Sequence, residues 1–218
     1  MTPFAHIRAW VFDLDNTLYP APALYDAIGV RMTAHIARAL NVDEDEAFRL
    51  RELYFHSHGA TVAGLAQEHG LDAIAFLHDV HQVDYSVLTP DPELAALIGA
   101  LPGRRIVFTN GGGGHGQRAL ESLGLGGLFE RVFDIESSGV MPKPQRGAYE
   151  KLIAACGLEP RESAIIEDSA RNLAPAHALG FTTVLIGDEA AGPKPAFADH
   201  AARDLKDVLR LALGRETG

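Results

Sequence analysis

Short apolar runs alternate with helical patterns along most of the chain, and several of the runs end in polar residues. The first run leads through Trp10, Val11 and Phe12 directly to Asp13 and Asp15. Apolar runs of this length, bounded by turn-forming residues, predict buried strands. The predicted strands are 6–12, 105–109, 131–135, 163–166 and 182–186, and the helices that alternate with them are 92–100, 117–123, 148–156, 170–179 and 204–213. This alternation predicts an α/β fold with a doubly wound (Rossmann-like) parallel sheet.

The pattern changes over residues 20–89, where helical spacing replaces the β-branched runs. Asp43 is placed to cap one of the helices in this stretch. The predicted helices are 23–40, 43–57, 61–69 and 72–80. We therefore predict a core domain formed by residues 1–19 and 90–218, and a small all-helical cap domain inserted after the first strand. The alternative is a single crossover connection enlarged by additional helices.

Composition limits the classes of partner. With 218 residues, 47% of them hydrophobic, the chain is long enough for one sizeable core and a smaller second unit. The net charge of −10 disfavours a nucleic-acid polymer or an anionic membrane, although a small phosphorylated metabolite remains possible because its binding depends on local charge. Cys156 is the only cysteine, which excludes an intrachain disulfide. We see no apolar stretch of signal-peptide or membrane-span length and expect a cytoplasmic protein, either a monomer or a homodimer.

Polar residues lie at the carboxyl ends of three predicted strands, and a lysine lies between prolines in a connecting loop. In an open parallel sheet, ligands bind outside the carboxyl ends of the strands, so these residues are expected around one crevice. Two like charges 4 Å apart repel by about 4 kcal/mol at an effective dielectric constant of 20. Converging carboxylates therefore require a cation, and an all-oxygen site suits Mg²⁺. The residues are Asp13, Asp15, Thr109, Asn110, Lys143, Glu167 and Asp168.

Other interpretations exist for single patterns. Asp168 and Ser169 suit a helix cap, and Thr109-Asn110 suits an ordinary turn. The run 111–116 fits the G-x-G-x-x-G pattern of a dinucleotide site, with Asp134 or Glu136 downstream, but polyglycine satisfies many patterns and this fingerprint normally opens the first βαβ unit. Within that run His115 is a candidate for substrate contact, but we expect it to be a solvent-exposed loop histidine. The histidines at 56, 58, 69, 78 and 81 lack the spacing of a zinc site.

Taken in order, the polar blocks resemble the four motifs of the haloacid dehalogenase superfamily of phosphohydrolases, over residues 10–172. This resemblance implies that Asp13 is the nucleophile, forming an aspartyl-phosphate, and that Asp15 is first the general acid and then the general base. It implies Mg²⁺ held by Asp13, by the backbone carbonyl of Asp15 and by Asp168. The remaining implied roles are phosphate binding by Thr109, Asn110 and Lys143, stabilisation of Asp13 by Lys143, and support of the metal site by Glu167, through water, and by Asn172.

The resemblance also suggests a substrate class. Haloacid dehalogenases proper carry no acid at the position of Asp15 and need no metal, so its presence favours phosphoryl transfer. The strings 12–19, 58–65 and 167–172 resemble the pyrimidine 5′-nucleotidase branch, which commonly has Asp where this chain has Glu167. This implies UMP or CMP as substrate, with Thr61 as a candidate contact. The alternatives are a sugar-phosphate phosphatase or phosphomutase of the same superfamily, and a non-catalytic binding protein that retains the fold.

Overall fold

A computed structural model describes residues 2–20 and 22–215, and within them a six-stranded parallel sheet has the order β3-β2-β1-β4-β5-β6. The strands are β1 Ala9–Phe12, β2 Arg104–Phe108, β3 Arg131–Phe133, β4 Ser163–Glu167, β5 Thr182–Ile186 and β6 His200–Ala202. The helices are α1 Pro22–Leu40, α2 Glu44–His58, α3 Thr61–His69, α4 Ala73–Val80, α5 Pro92–Ala100, α6 His115–Ser122, α7 Arg146–Cys156, α8 Ala170–Ala178 and α9 Leu205–Ala212.

The central strands β1, β4 and β5 are buried on both faces, which is why they are mostly apolar. Because successive side chains point to opposite faces, Trp10 and Phe12 pack in one cluster with residues of α5, α6 and α9. Val11 packs in the other cluster, with residues of α7 and α8. The predicted doubly wound sheet is confirmed, with β1 at its centre.

Helices α1–α4 lie between β1 and β2 in the chain and enclose a third apolar cluster that includes Ile36, Leu65 and Phe76. Asp43 caps α2 as expected, since its side chain accepts a hydrogen bond from the backbone N–H of Glu46 at 2.9 Å. The division of the chain into core and cap domains stays a prediction, and its limits at residues 1 and 218, like Ala21 within the cap, lie outside the described residues. No helix in the described ranges has the length and apolar character needed to cross a membrane.

The structure adds one strand that the sequence pattern did not predict. Residues 187–197 lead to β6, which pairs in parallel with β5 at the edge of the sheet. Its three residues, His-Ala-Ala, contain no β-branched or aromatic side chain and therefore give no strand signal. The other differences are shifts of element ends by a few residues, of which the largest is the start of β1 at Ala9 rather than residue 6.

The strand order fixes where the polar blocks meet. Phe12 is in register with Val107 of β2 on one side and Ile166 of β4 on the other. The backbone N–H of Asp13 continues this pairing by donating to the carbonyl of Ile166 at 2.9 Å. The strand order changes direction between β1 and β4, which are neighbours in the sheet. In a doubly wound fold the ligand crevice opens at this point.

Candidate active site

Lys143 lies at the centre of the crevice and joins two strand ends. Its Nζ donates to Asp13 Oδ1 at 2.6 Å, to Glu167 Oε1 at 2.8 Å and to the carbonyl of Phe108 at 2.8 Å. The residue is only 2% exposed. Burial opposes the charge on Lys143, but the carboxylates of Asp13 and Glu167 raise its pKa above the ordinary value. The ammonium group is therefore a fixed positive charge beside Asp13.

Asn110 holds the backbone of the lysine loop. Its amide Nδ2 donates to the carbonyl of Lys143 at 3.0 Å, and its Oδ1 accepts from the N–H of the same residue at 2.8 Å. Thr109 is buried next to it, and its hydroxyl accepts a hydrogen bond from the N–H of Gly111 at 2.9 Å. The loop after β2 thus positions the lysine as well as contributing its own polar groups to the crevice.

Three carboxylates form an acidic cluster beside Lys143. One oxygen from each of Asp13, Glu167 and Asp168 lies within 4.8 Å of the others. Burial raises the pKa of Asp13 to about 7, although Lys143 acts in the opposite direction. Burial, followed by the charges of Glu167 and Asp13, raises the pKa of Asp168 to about 8. Three negative charges and one lysine leave the cluster with a net negative charge, which burial makes unfavourable.

Glu167 is held more tightly than the sequence indicates. Besides Lys143, it accepts a hydrogen bond from Asn172 Nδ2 at 2.7 Å, and its second oxygen accepts from the N–H of Ser169 at 3.0 Å. Lys143 keeps the pKa of Glu167 below its usual range despite burial. Ser169 precedes α8 but makes no side-chain hydrogen bond that caps it. The interpretation of Ser169 as a helix-capping side chain is therefore wrong.

Asp15 has two partners that sequence reasoning missed. Its Oδ1 accepts hydrogen bonds from the hydroxyl of Tyr19 and from His115 Nε2, the latter at 2.9 Å. Burial acts to raise the pKa of Asp15, but the interactions with His115 and Tyr19 outweigh it and hold the pKa below its usual range. The expectation that His115 is solvent-exposed is wrong, because it is 1% exposed at the start of α6. Its position just after a strand end was the available signal.

The glycine run packs against α4 instead of lying open. A Cβ atom on Gly113 would lie 2.5 Å from the carbonyl oxygen of Leu77, and the residue has a φ of +59°. Its N–H donates to the carboxylate of Glu136. The glycine at this position therefore lets the loop after β2 approach α4 closely. It also permits a left-handed backbone conformation.

We expect Gly113→Ala to destabilise the protein more than Gly70→Ala. Both glycines have positive φ, which costs an alanine about 1–2 kcal/mol. Only Gly113 has a backbone atom in the way, whereas a Cβ on Gly70 meets nothing within 4 Å. Steric overlap should add roughly 1–3 kcal/mol to the loss at Gly113. Urea unfolding of the two variants measures the difference, and equal losses would contradict the close approach.

Two residues of helices α1–α4 bear on the predicted site. Tyr25 on α1 is 47% exposed, and burial, followed by the charges of Asp15 and Asp13, raises its pKa well above the usual value. The hydroxyl of Thr61 donates to the carbonyl of Arg51 at 3.0 Å and is buried within the insert. The prediction that Thr61 contacts a substrate stays a prediction.

Comparison with known proteins gives a consistent family. The model of the haloacid dehalogenase-like hydrolases matches residues 7–180. "Phosphate metabolism protein 8" of Saccharomyces cerevisiae is 28% identical over 233 residues, covering 94% of this chain and 72% of the yeast protein.

Among solved structures, a HAD phosphatase from Thermococcus onnurineus superposes with a TM-score of 0.65 at 20% identity, over 96% of this chain and 99% of that one. The L-2-haloacid dehalogenase of Xanthobacter autotrophicus superposes with a TM-score of 0.60 at 19% identity, over 96% of this chain and 100% of that one. At these identities the structural matches establish the fold and do not distinguish between the two reactions.

Proposed function

Since the chain belongs to the haloacid dehalogenase-like hydrolase family, we propose that it is a phosphohydrolase that works through an aspartyl-phosphate intermediate. The observation that carries this proposal is the buried contact of 2.6 Å between Lys143 Nζ and Asp13 Oδ1, with Asp15 two residues further along the same strand end. A lysine so placed orients the attacking carboxylate and offers positive charge to phosphoryl oxygens. Asp15 distinguishes this site from one that needs only a nucleophile.

The proposed reaction has two displacements at phosphorus. A carboxylate oxygen of Asp13 forms a bond to phosphorus while the bond to the leaving oxygen breaks, and the electron pair stays with that oxygen. Asp15 must carry a proton when this displacement begins, and it transfers that proton to the leaving oxygen. In the second displacement a water oxygen attacks phosphorus, Asp15 takes the water proton, and the acyl-phosphate bond breaks to regenerate Asp13 and release phosphate. Thr109 and the N–H of Asn110 are proposed to hold the phosphoryl oxygens.

The donor set fits a hard divalent cation such as Mg²⁺. All candidate ligand atoms are oxygens, and burial, followed by the neighbouring charges, raises the pKa values of Asp13 and Asp168, so a cation would favour the charged form of both groups. Asp13, Asp168 and the backbone carbonyl of Asp15 would hold the ion, since the oxygens of Glu167 already bond to Lys143, Asn172 and Ser169. When bound, the ion would reduce the repulsion between Asp13 and a phosphate dianion.

We expect Mg²⁺ to raise the thermal unfolding midpoint of the metal-free protein. A ligand at 100 times its Kd adds about 2.7 kcal/mol to the stability of the folded state. For a chain of this size, each kcal/mol shifts the midpoint by about 2–4 °C. The shift should disappear in Asp168→Asn and persist in Asp45→Asn, a control at an exposed position in α2. A full shift in Asp168→Asn would remove Asp168 from the ligand set.

We further propose that residues 20–89 form a cap that selects the substrate, and that this substrate is a pyrimidine nucleoside 5′-monophosphate. Tyr25 supports a role of this region, because this residue of α1 is half-exposed and the charges of Asp15 and Asp13 contribute to the rise in its pKa. A sugar phosphate is the alternative substrate, handled by the same core residues. Transfer of the phosphoryl group to a second sugar hydroxyl would make the protein a mutase instead.

A release assay with several substrate classes tests these proposals. Phosphate release from UMP, CMP, purine monophosphates and hexose phosphates is measured with Mg²⁺ and with EDTA, and chloride release from L-2-chloropropionate is measured in parallel. We expect Mg²⁺-dependent phosphate release and no chloride release. Equal rates on purine and pyrimidine nucleotides would remove the nucleotide preference alone. Chloride release without phosphate release would overturn the proposal that the protein is a phosphohydrolase.

A further inference from the structure

The two hydrogen bonds to Asp15 reach the same oxygen from different parts of the chain. Tyr19 is four residues away in the same loop, so its hydrogen bond to Asp15 is a local contact. His115 belongs to α6, a separate element of the sheet's helical layer, and its Nε2 lies 2.9 Å from Asp15 Oδ1. The histidine therefore ties the carboxylate to a second, distant element of the fold.

His115 is itself held rigidly. Its Nδ1 lies 2.9 Å from the hydroxyl of Tyr85, which follows α4 in the chain. Its ring packs against that of His81, with the ring centroids 4.7 Å apart and an interplanar angle of 31°. Arg118 lies over the ring of Tyr85 at 5.1 Å from the centroid. A histidine buried in this way, with both ring nitrogens in hydrogen-bonding contact, keeps one ring orientation.

The approach of His115 to the site also constrains the loop before it. A Cβ atom on Gly111 would lie 2.6 Å from Cδ2 of His115. Since Gly111 also donates its N–H to Thr109, the same turn accommodates the phosphate-binding candidate and the imidazole. The glycine run therefore provides the space through which His115 reaches Asp15.

We propose that His115 is a positioning residue for proton transfer by Asp15. By holding Oδ1, it leaves Oδ2 as the oxygen that exchanges the proton with the leaving group and then with water. This inference rests on the proposed phosphohydrolase function, because it assigns a role relative to the acid of that reaction. Misplacement of a reacting group by about 1 Å can lower a rate about 10²-fold. Loss of the contact between His115 and Asp15 should therefore lower the rate strongly for substrates whose leaving group needs a proton.

The leaving group provides the test. Benzyl phosphate releases an alkoxide that needs a proton, whereas p-nitrophenyl phosphate, of similar size, releases a phenolate that is stable without one. The first-turnover rate of alcohol or phenol release is measured by rapid quench for His115→Asn and His115→Gln. Gln places its amide nitrogen close to the position of Nε2, and Asn, one methylene shorter, does not. His78→Leu, at a largely exposed position on α4, is the matched histidine control.

We expect His115→Asn to lower the benzyl phosphate rate about 10²-fold, and the p-nitrophenyl phosphate rate by no more than about fivefold. His115→Gln should recover most of the benzyl phosphate rate, and His78→Leu should behave as the unmodified protein. Tyr85→Phe, which keeps the ring but removes the hydroxyl beside His115, should show the same selectivity in a weaker form. This variant serves if the substitutions at His115 prevent folding, which circular dichroism detects.

Equal loss on both esters, or no loss on either, would overturn the role of His115. Both results leave the proposed phosphohydrolase function standing, provided that the unmodified protein hydrolyses both esters with Mg²⁺ and the Asp13→Asn variant does not. If the unmodified protein hydrolyses neither ester nor any compound of the release assay, the proposed function fails and the inference fails with it.

Discussion

Asp13→Asn is expected to abolish phosphate release, with a loss of at least about 10³-fold. The amide has nearly the shape of the carboxylate and can still accept a hydrogen bond from Lys143, but it is not a nucleophile. It also removes one negative charge from a buried cluster in which the pKa values of Asp13 and Asp168 are already raised, so stability should be retained. Acid quenching of a reaction with radiolabelled substrate should trap a phosphoprotein from the unmodified chain and none from the variant.

The control for this prediction is Asp45→Asn, an equivalent substitution at an exposed position. It should leave both the rate and the trapped phosphoprotein unchanged. If Asp13→Asn releases phosphate at an unaltered rate, the covalent mechanism is wrong. If the rate falls but no phosphoprotein can be trapped from the unmodified chain by fast quenching, Asp13 acts without forming the intermediate.

Lys143→Met is expected to lower both stability and activity. The substitution leaves the carboxylates of Asp13 and Glu167 buried without their positive partner. Breaking a buried ion pair by removal of one member typically costs 3–5 kcal/mol, so we expect a loss of about that size in the free energy of unfolding. Urea denaturation measures it, and phosphate release should fall below about 1% of the original rate because the attacking carboxylate loses its fixed charge partner.

A second substitution separates the two effects. Glu167→Gln in the Lys143→Met background removes one of the unpaired charges, and it should restore part of the stability without restoring activity. Lys151→Met is the matched control, because that lysine donates to a single backbone carbonyl, of Ser138, and should cost only about 1 kcal/mol. Recovery of activity in the double variant would show that Lys143 serves stability alone.

The sequence predicted those features of the site that depend on local pattern. Asp13 and Asp168 each follow a buried apolar run, and in a parallel sheet such positions meet at one edge, so their proximity follows from strand assignment. The same reasoning covers Lys143, whose place in the loop after β3 brings it to that edge.

The missed features depend on packing between distant residues. His115 lies 100 positions from Asp15, and its burial depends on how α6 meets Tyr85 and the insert. Local sequence around His115 is rich in glycine, which indicates exposure when packing is unknown. The ion pair between Glu167 and Lys143 was also missed. A carboxylate beside a predicted metal site is easily assigned to the metal alone, which leaves its other partners unconsidered. β6 was missed because its sequence has no strand character.

The central position of β1 has a consequence for synthesis of the protein. Ala9 pairs with Arg104 on one side and Ser163 on the other, so β1 acquires its second neighbour only once the chain has been made as far as β4. Until then a fully apolar strand has an unsatisfied edge, which favours aggregation and slows folding. Nascent chains that stop before β4 therefore carry Asp13 on an incomplete sheet.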